Sequence, residues 1–178
     1  MHNNKRQFII HFIGHDNSGK TSIGQSLSSA IDVPYFRNPT NEQYHTKDDN
    51  IPFMHGEGML EFHLLSETGY PLIRDRNYIC EMAYSKFYNR PTDICFLVEL
   101  HKAYCSNFAD FYIVYCHKTK FREEFQDQYV KLDEIDGLKK CYEDSISMLP
   151  HQERILWLDT TDENIHQQIK TIKEFIQW

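Results

Sequence analysis

The chain of 178 residues is 40% apolar and 14% aromatic, which fits one globular domain and excludes general disorder. Acidic residues outnumber basic residues by 26 to 19, and the resulting net charge of −7 argues against a nucleic-acid partner, which would need a basic surface. No apolar run approaches the roughly 18 residues that span a bilayer, and five cysteines without a C-x-x-C pair predict a cytoplasmic protein with no membrane partner.

Strand patterns alternate with helix patterns along the chain. Nearly continuous apolar runs predict strands at residues 7–13, 33–36, 71–75, 111–116 and 154–158. Helical spacing predicts helices at residues 20–30, 78–88, 94–107 and 133–149, a further helix that ends near residue 67, and a last one that starts after residue 160. For the last helix, Thr160 and Glu163 predict a capping box. This alternation predicts a single α/β domain over residues 1–178, with a parallel sheet and right-handed crossovers.

The first predicted strand is followed directly by residues 14–21, which read GHDNSGKT and match the phosphate-binding pattern G-x-x-x-x-G-K-[ST]. Its glycines let backbone amides turn toward phosphate oxygens, and the following helix adds the partial positive charge of its N-terminus. Lys20 would reach the β- and γ-phosphates, and the Thr21 hydroxyl would be a ligand of Mg²⁺. The predicted phosphate-binding residues are Gly14, Asn17, Ser18, Gly19, Lys20, Thr21 and Ser22.

The third predicted strand ends with the pair Asp75 and Arg76. In an open α/β sheet, ligands bind outside the carboxyl ends of the strands, so this pair is expected beside the phosphate loop. An arginine there can clamp a second phosphoryl group and offset the charge that develops during transfer. The alternative is an ordinary ion pair at the surface.

A charged segment, at about residues 117–130, follows the fourth predicted strand. It begins with three cations in the five residues 118–122, the last of them Arg122, within an otherwise acidic chain. One interpretation is a short lid that closes over phosphates and excludes water. The other is a solvated helix face, because acidic residues follow the cations at once.

Together with residues 75–84, the phosphate loop resembles that of the thymidylate kinase family, within the P-loop nucleoside and nucleotide kinases. The loop of that family reads E-G-x-[DE]-x-x-G-K-[ST], and Asp16 matches its second acidic position. Arg37 matches the arginine of the family's R-E-P segment, while Asn38 replaces the acid. Residues 75–84 read DRNYICEMAY and resemble D-R-[YFH] followed by S-x-x-A-[YF], with Tyr84 in register.

The resemblance implies a P-loop three-layer sandwich with a five-stranded parallel sheet, a homodimer, and ATP with Mg²⁺ as cofactors. It further implies phosphorylation of a deoxynucleoside monophosphate, a pyrimidine such as dTMP or a related or modified dNMP, giving dNDP and ADP. The implied catalytic residues are Asp16, Lys20, Asp75, Arg76 and Arg122. The implied or candidate contacts with this small-molecule acceptor come from Asp16, Phe36, Arg37, Phe53, Arg76 and Tyr84.

The aromatic stretches at residues 35–36 and 84–88 could stack on a base, or they could belong to the core or a dimer surface. A deoxynucleoside kinase acting on a 5′-hydroxyl is the nearest alternative, but its general base would be expected where Arg37 and Asn38 stand. A regulatory nucleotide switch is a second alternative, disfavoured because N-K-x-D is absent and D-x-x-G does not follow the third strand. A third alternative, a polynucleotide 5′-kinase, would need a basic strand-binding groove, and the acidic charge balance of the chain argues against it.

Overall fold

The computed structural model describes residues 7–37, 51–121 and 130–178, and the side chains from residue 56 onward in the second of these ranges. In these residues the strands are β1 (Phe8–Ile13), β2 (Tyr35–Arg37), β3 (Leu72–Asp75), β4 (Asp110–His117) and β5 (Ile155–Asp159). The helices are α1 (Lys20–Ile31), α2 (Ile51–Thr68), α3 (Tyr78–Phe87), α4 (Ile94–Asn107), α5 (Ile135–Ser147) and α6 (Ile165–Phe175). Short 3₁₀ turns at Leu132–Glu134 and Gln152–Arg154 precede α5 and β5.

The strands form one parallel sheet in the order β2-β3-β1-β4-β5. β1 lies at its centre, between β3 on one side and β4 on the other. The chain therefore winds outward in both directions from β1, and a crevice opens at the carboxyl end of this strand. The predicted parallel α/β sheet is confirmed, and the phosphate loop leaves β1 at that crevice.

Helices cover both faces of the sheet, which explains why its central strands are apolar along most of their length. On one face, Ile9 and Ile13 of β1 pack with residues of α3, α4 and α5. On the other face, Ile10 and Phe12 pack with α1 and α6, where Ile23 is buried as its helical spacing predicts. The two apolar layers hold the carboxyl ends of the strands at fixed positions.

The predicted capping box of the last helix is wrong. α6 begins at Ile165, and its cap is Asn164, whose side chain accepts a hydrogen bond from the Gln167 N–H at 3.2 Å. The Thr160 hydroxyl instead donates to the carbonyl of Ser18 at 2.8 Å. Glu163 has a φ of +53° and lies outside the helix. Thr160 therefore contacts the phosphate loop and does not cap the helix, because the carbonyl of Ser18 lies within reach of its hydroxyl.

Among the described residues, no helix combines the length and apolar character needed to cross a membrane. All five cysteines are free thiols. On α2 the apolar side chains of Met59, Leu60 and Leu64 are each about half exposed. This helix therefore presents apolar surface outward as well as toward the core.

Candidate active site

The phosphate loop takes its shape from residues with positive φ, at one of which a side chain would collide with β4. Gly14 has a φ of +136°, and a Cβ placed there would lie 2.2 Å from the carbonyl oxygen of Cys116 on β4. Asn17 follows in the left-handed region, with a φ of +60°. The chain can therefore curl tightly above β1 and enter α1 at Lys20, so that the N-terminus of that helix faces the loop.

Lys20 lies inside this loop. Its ammonium donates to the carbonyl of His15 at 2.5 Å and to the Ser18 hydroxyl at 3.3 Å. Burial lowers the pKa of Lys20, and the nearby Arg76 lowers it further. A buried cation at this position is suited to binding phosphate oxygens, since an anion would balance the charge that burial leaves uncompensated.

Asp75, at the end of β3, is buried beside the first turn of α1. Its Oδ2 accepts hydrogen bonds from the Thr21 hydroxyl at 2.6 Å and from the Tyr35 hydroxyl at 2.9 Å. Its Oδ1 is buried without a hydrogen-bond partner within the described part of the chain. A hydroxyl and an under-used carboxylate oxygen fit Mg²⁺, which takes one or two protein oxygens and completes its shell with water and phosphate. No cluster of three or more His, Cys, Asp or Glu side chains among the described residues suggests another metal site.

A second cluster joins the phosphate loop to α3. The Arg76 guanidinium pairs with Asp16 Oδ1, and the Tyr84 hydroxyl donates to Asp16 Oδ2 at 3.1 Å. The guanidinium carbon of Arg76 also lies 5.8 Å from the centre of the Tyr84 ring. Burial raises the pKa of Tyr84, which keeps its hydroxyl a neutral donor. A cation, a carboxylate and a phenol thus converge beside the phosphate loop.

Arg76 occupies this position through a strained backbone. Its φ of +72° is uncommon for a residue with a Cβ, and its N–H is fixed by the carbonyl of Phe12 at 2.9 Å. The left-handed turn ends β3 abruptly and directs the chain toward the cap of α3, Asn77. Strained residues held by their surroundings are concentrated at functional sites.

The remaining predicted residues are more dispersed. Arg37 and Phe36 are exposed on β2, with Arg37 opposite Asp75 in the strand register. Ser22 is exposed in the first turn of α1. Phe53 and Arg122 lie outside the residues whose side chains are described, as does most of the predicted lid.

The loop after β5 is tied to the site by contacts that sequence reasoning missed. Lys118 pairs with Glu163 at 2.6 Å, and the Thr119 N–H donates to the Thr161 hydroxyl at 3.0 Å. Thr160 connects the same loop to the carbonyl of Ser18. The loops after β4 and β5 are therefore joined to each other and to the phosphate loop, and only the hydroxyl-rich sequence after β5 hinted at this.

Sequence reasoning also missed a buried polar network beneath the site. Arg74 on β3 pairs with Glu61 and, at 2.5 Å, with Glu57, both on α2. Glu61 accepts a hydrogen bond from the Tyr104 hydroxyl at 2.7 Å and lies 3.0 Å from Nε2 of His11. An arginine inside an otherwise apolar strand was the available signal, because a buried cation requires acidic partners.

Solved structures share this architecture over nearly the whole chain, whereas the sequence matches no protein-family model and no curated protein. The YorR protein from Bacillus subtilis, solved with phosphorylated GDP, is 17% identical with a TM-score of 0.68, covering 95% of each chain. Thymidylate kinase from Candida albicans is 18% identical with a TM-score of 0.61, covering 97% of this chain and 92% of that one. Thymidylate kinase from Ehrlichia chaffeensis is 16% identical with a TM-score of 0.60, covering 98% and 100%. The fold is that of the P-loop kinases.

P-loop kinases named for quite different acceptors have the same fold as this chain. A deoxyadenosine kinase and a gluconokinase match with TM-scores of 0.54, and a shikimate kinase with 0.60. The sheet and the helices around it are common to all of them. The fold therefore does not identify the acceptor, and any proposal for it depends on the side chains of this chain.

Proposed function

We propose that the chain is a deoxynucleoside monophosphate kinase that uses Mg·ATP and a pyrimidine acceptor, dTMP or a related or modified dNMP. The acceptor's phosphate oxygen forms a bond to the γ-phosphorus of ATP, the bond from that phosphorus to the bridging oxygen breaks, and ADP leaves with dNDP as the second product. The observation that carries the proposal is the cluster of Arg76, Asp16 and Tyr84 beside the phosphate loop. Such a cluster can hold an anionic acceptor against a bound nucleotide.

The donor side uses the phosphate loop. Backbone amides and the N-terminus of α1 bind the phosphates, and Lys20 contributes a cation from inside the loop. Thr21 and Asp75 are the residues that would hold Mg²⁺, directly or through water. Bound Mg²⁺ would neutralise charge on the β- and γ-phosphates. Catalysis of this kind consists mainly of positioning and charge stabilisation.

The acceptor side must overcome repulsion between two anions. The Arg76 guanidinium can exchange part of its contact with Asp16 for an acceptor phosphate, and Arg37 extends the positive edge at the end of β2. Asp16 then orients Arg76 and the sugar of the acceptor. Tyr84 supplies a neutral donor and an aromatic face at the same place.

A phosphorylated acceptor fits this site better than a free nucleoside. A kinase that acts on a 5′-hydroxyl needs a general base near that hydroxyl. The two carboxylates at the site are the possible bases, and both already have partners. Asp16 pairs with Arg76, and Asp75 accepts hydrogen bonds from Thr21 and Tyr35. Arginine, not a carboxylate, stands at the end of β2. A deoxynucleoside kinase is therefore the second candidate, and the choice of acceptor in the assay below distinguishes it from a monophosphate kinase.

The half-exposed apolar side chains of Met59, Leu60 and Leu64 support a homodimer through α2. Burial of this surface against a second copy would be measured as twice the monomer mass in light scattering after gel filtration. Replacing Leu60 and Leu64 by glutamate should give the monomer mass. A monomer at all concentrations of the wild-type protein would reject the dimer.

The kinase proposal is tested by ADP release from Mg·ATP in the presence of nucleosides, the common dNMPs and 5-substituted pyrimidine monophosphates. We expect release that depends on one pyrimidine monophosphate, and its loss in Lys20→Ala. Arg76→Gln should raise the KM for the acceptor at least tenfold while ATP binding is retained. Lys86→Gln, on the exposed side of α3, is the matched control and should be active.

Release stimulated only by nucleosides would replace the monophosphate by a 5′-hydroxyl acceptor. ATP binding with no acceptor-dependent release from any of these compounds would reject the kinase proposal. An Arg76→Gln enzyme with an unchanged KM for the acceptor would reject the assigned role of Arg76.

A further inference from the structure

We propose that Tyr35 is a positioning residue for the Mg·ATP site, where its hydroxyl fixes the Asp75 carboxylate so that Oδ1 faces the metal. This inference rests on the part of the proposed function that concerns Mg·ATP and does not depend on the acceptor. It assigns a function to an aromatic side chain that the sequence offered only as a base-stacking or core residue.

The hydrogen bonds to Asp75 show that two donors hold one oxygen of this carboxylate. Oδ2 accepts from Thr21 at 2.6 Å and from Tyr35 at 2.9 Å, while Oδ1 is buried and has no partner within the described residues. A Thr21 hydroxyl that held a metal ion would do so through an oxygen lone pair and could still donate its proton to Oδ2, but one donor alone leaves the carboxylate free to rotate about it. Tyr35 is the second donor, which would fix the plane of the carboxylate and leave Oδ1 available to the metal or its water.

The Tyr35 ring reaches Asp75 because the adjacent helix α1 leaves space for it at Gly24. In the register of β2 with β3, Tyr35 lies opposite Ile73, two positions before the residue that faces Asp75. The ring must therefore lean along the strand, and it does so across Gly24 of α1. A Cβ at Gly24 would lie 2.7 Å from Cε2 and 3.2 Å from Cδ2 of this ring. The missing side chain at residue 24 makes room for Tyr35.

The chemistry of the phenol suits this role. Its hydroxyl donates a hydrogen bond to the Asp75 carboxylate and carries no positive charge. A neutral donor orients the carboxylate without cancelling its charge, whereas a lysine or arginine would compete with the metal. Phenylalanine would fill the same space, so packing alone does not call for the hydroxyl.

The test compares Tyr35→Phe with the wild-type protein in the binding of a non-hydrolysable ATP analogue, measured calorimetrically at increasing Mg²⁺. Loss of a residue that orients a metal ligand lowers metal affinity by about 10- to 100-fold, so we expect half-maximal binding at about tenfold higher Mg²⁺. Binding of the analogue in EDTA should be unchanged. The matched control is Tyr112→Phe, which removes a phenol that donates to Asp110 at 3.3 Å at the opposite end of the sheet. Its Mg²⁺ dependence should equal that of the wild type.

A second variant tests the path of the ring. Gly24→Ala should shift the Mg²⁺ dependence in the same direction as Tyr35→Phe, because the added methyl displaces the ring from Asp75. Combining the two changes should add little, since the hydroxyl is already lost. Additive shifts would mean that Gly24 acts elsewhere and would reject this path.

An unchanged Mg²⁺ dependence in folded Tyr35→Phe would overturn the role of Tyr35. It would leave the kinase proposal intact wherever the wild-type protein turns over an acceptor. Conversely, wild-type protein that binds Mg·nucleotide but phosphorylates no acceptor would reject the kinase proposal. In that case a shifted Mg²⁺ dependence in Tyr35→Phe would still support the positioning role.

Discussion

Replacing Arg74 by methionine should destabilise the fold strongly, although the side chain keeps a similar length. The guanidinium is only 12% exposed and pairs with Glu61, which is 9% exposed, and with Glu57. Its Nε also donates to the carbonyl of Arg76 at 3.2 Å. His11 is not expected to replace the lost cation at pH 7, because burial is the larger cause of its lowered pKa and does not depend on the charge of Arg74.

The expected loss follows from leaving carboxylates buried without a cation. Removing one partner of a buried ion pair costs about 3–5 kcal/mol, a large part of the roughly 5–15 kcal/mol that stabilises a typical domain. The measurement is urea unfolding at pH 7, followed by the fluorescence of Trp157 and Trp178, with the midpoint lowered and the slope unchanged. Lys86→Met is the control, because Lys86 is 51% exposed and its pair with Asp144 lies in solvent, where an ion pair adds little to stability.

The double variant Arg74→Met with Glu61→Gln separates charge from packing. Neutralising Glu61 removes much of the uncompensated charge, so the double variant should be more stable than Arg74→Met alone. A loss below about 1 kcal/mol for Arg74→Met would refute the reasoning. So would a Glu61→Gln change that simply adds its own loss to that of Arg74→Met.

Two further predictions concern acid stability and the phosphate loop. Burial lowers the pKa of His15 and of His101 to about 4, whereas an unfolded histidine titrates near 6.5. The unfolded state therefore binds protons first, and the free energy of unfolding should be constant above about pH 7 and fall by about 3 kcal/mol per histidine toward pH 4. Urea titrations across this range check the slope, which His101→Gln should lower by about one third, because burial also lowers the pKa of His11 and this histidine contributes beside His15; an equal slope would contradict the assignment. Gly14→Ala should lower affinity for the ATP analogue at least tenfold by calorimetry, because its Cβ would meet the Cys116 carbonyl, while Gly56→Ala, in open space on α2, should bind normally.

The sheet was predictable from sequence because local signals determine it. Strands buried on both faces must be mostly apolar, and β1 and β4 are so except for His11 and the polar ends of β4. The phosphate loop was predictable because its glycines permit a local backbone conformation with positive φ, +136° at Gly14 and +82° at Gly19. The capping box failed because Thr160 satisfies a carbonyl of Ser18, a residue 142 positions away. The contact between Tyr35 and Asp75 was equally inaccessible, since its partners meet only through the pairing of β2 with β3.

The residues of β3 explain how one short strand can serve two polar sites. Side chains alternate across a sheet, so Arg74 turns toward α2 and its glutamates while Asp75 turns toward α1, Thr21 and Tyr35. Arg76 then leaves the plane of the sheet through its positive φ and meets Asp16 of the phosphate loop. Three consecutive residues thus provide the buried ion pairs, the carboxylate proposed to hold the metal and the cation proposed to bind the acceptor. Because they share one backbone, a change that loosens Arg74 should also disturb the carbonyl of Arg76, to which Arg74 donates, and with it the proposed binding of the acceptor.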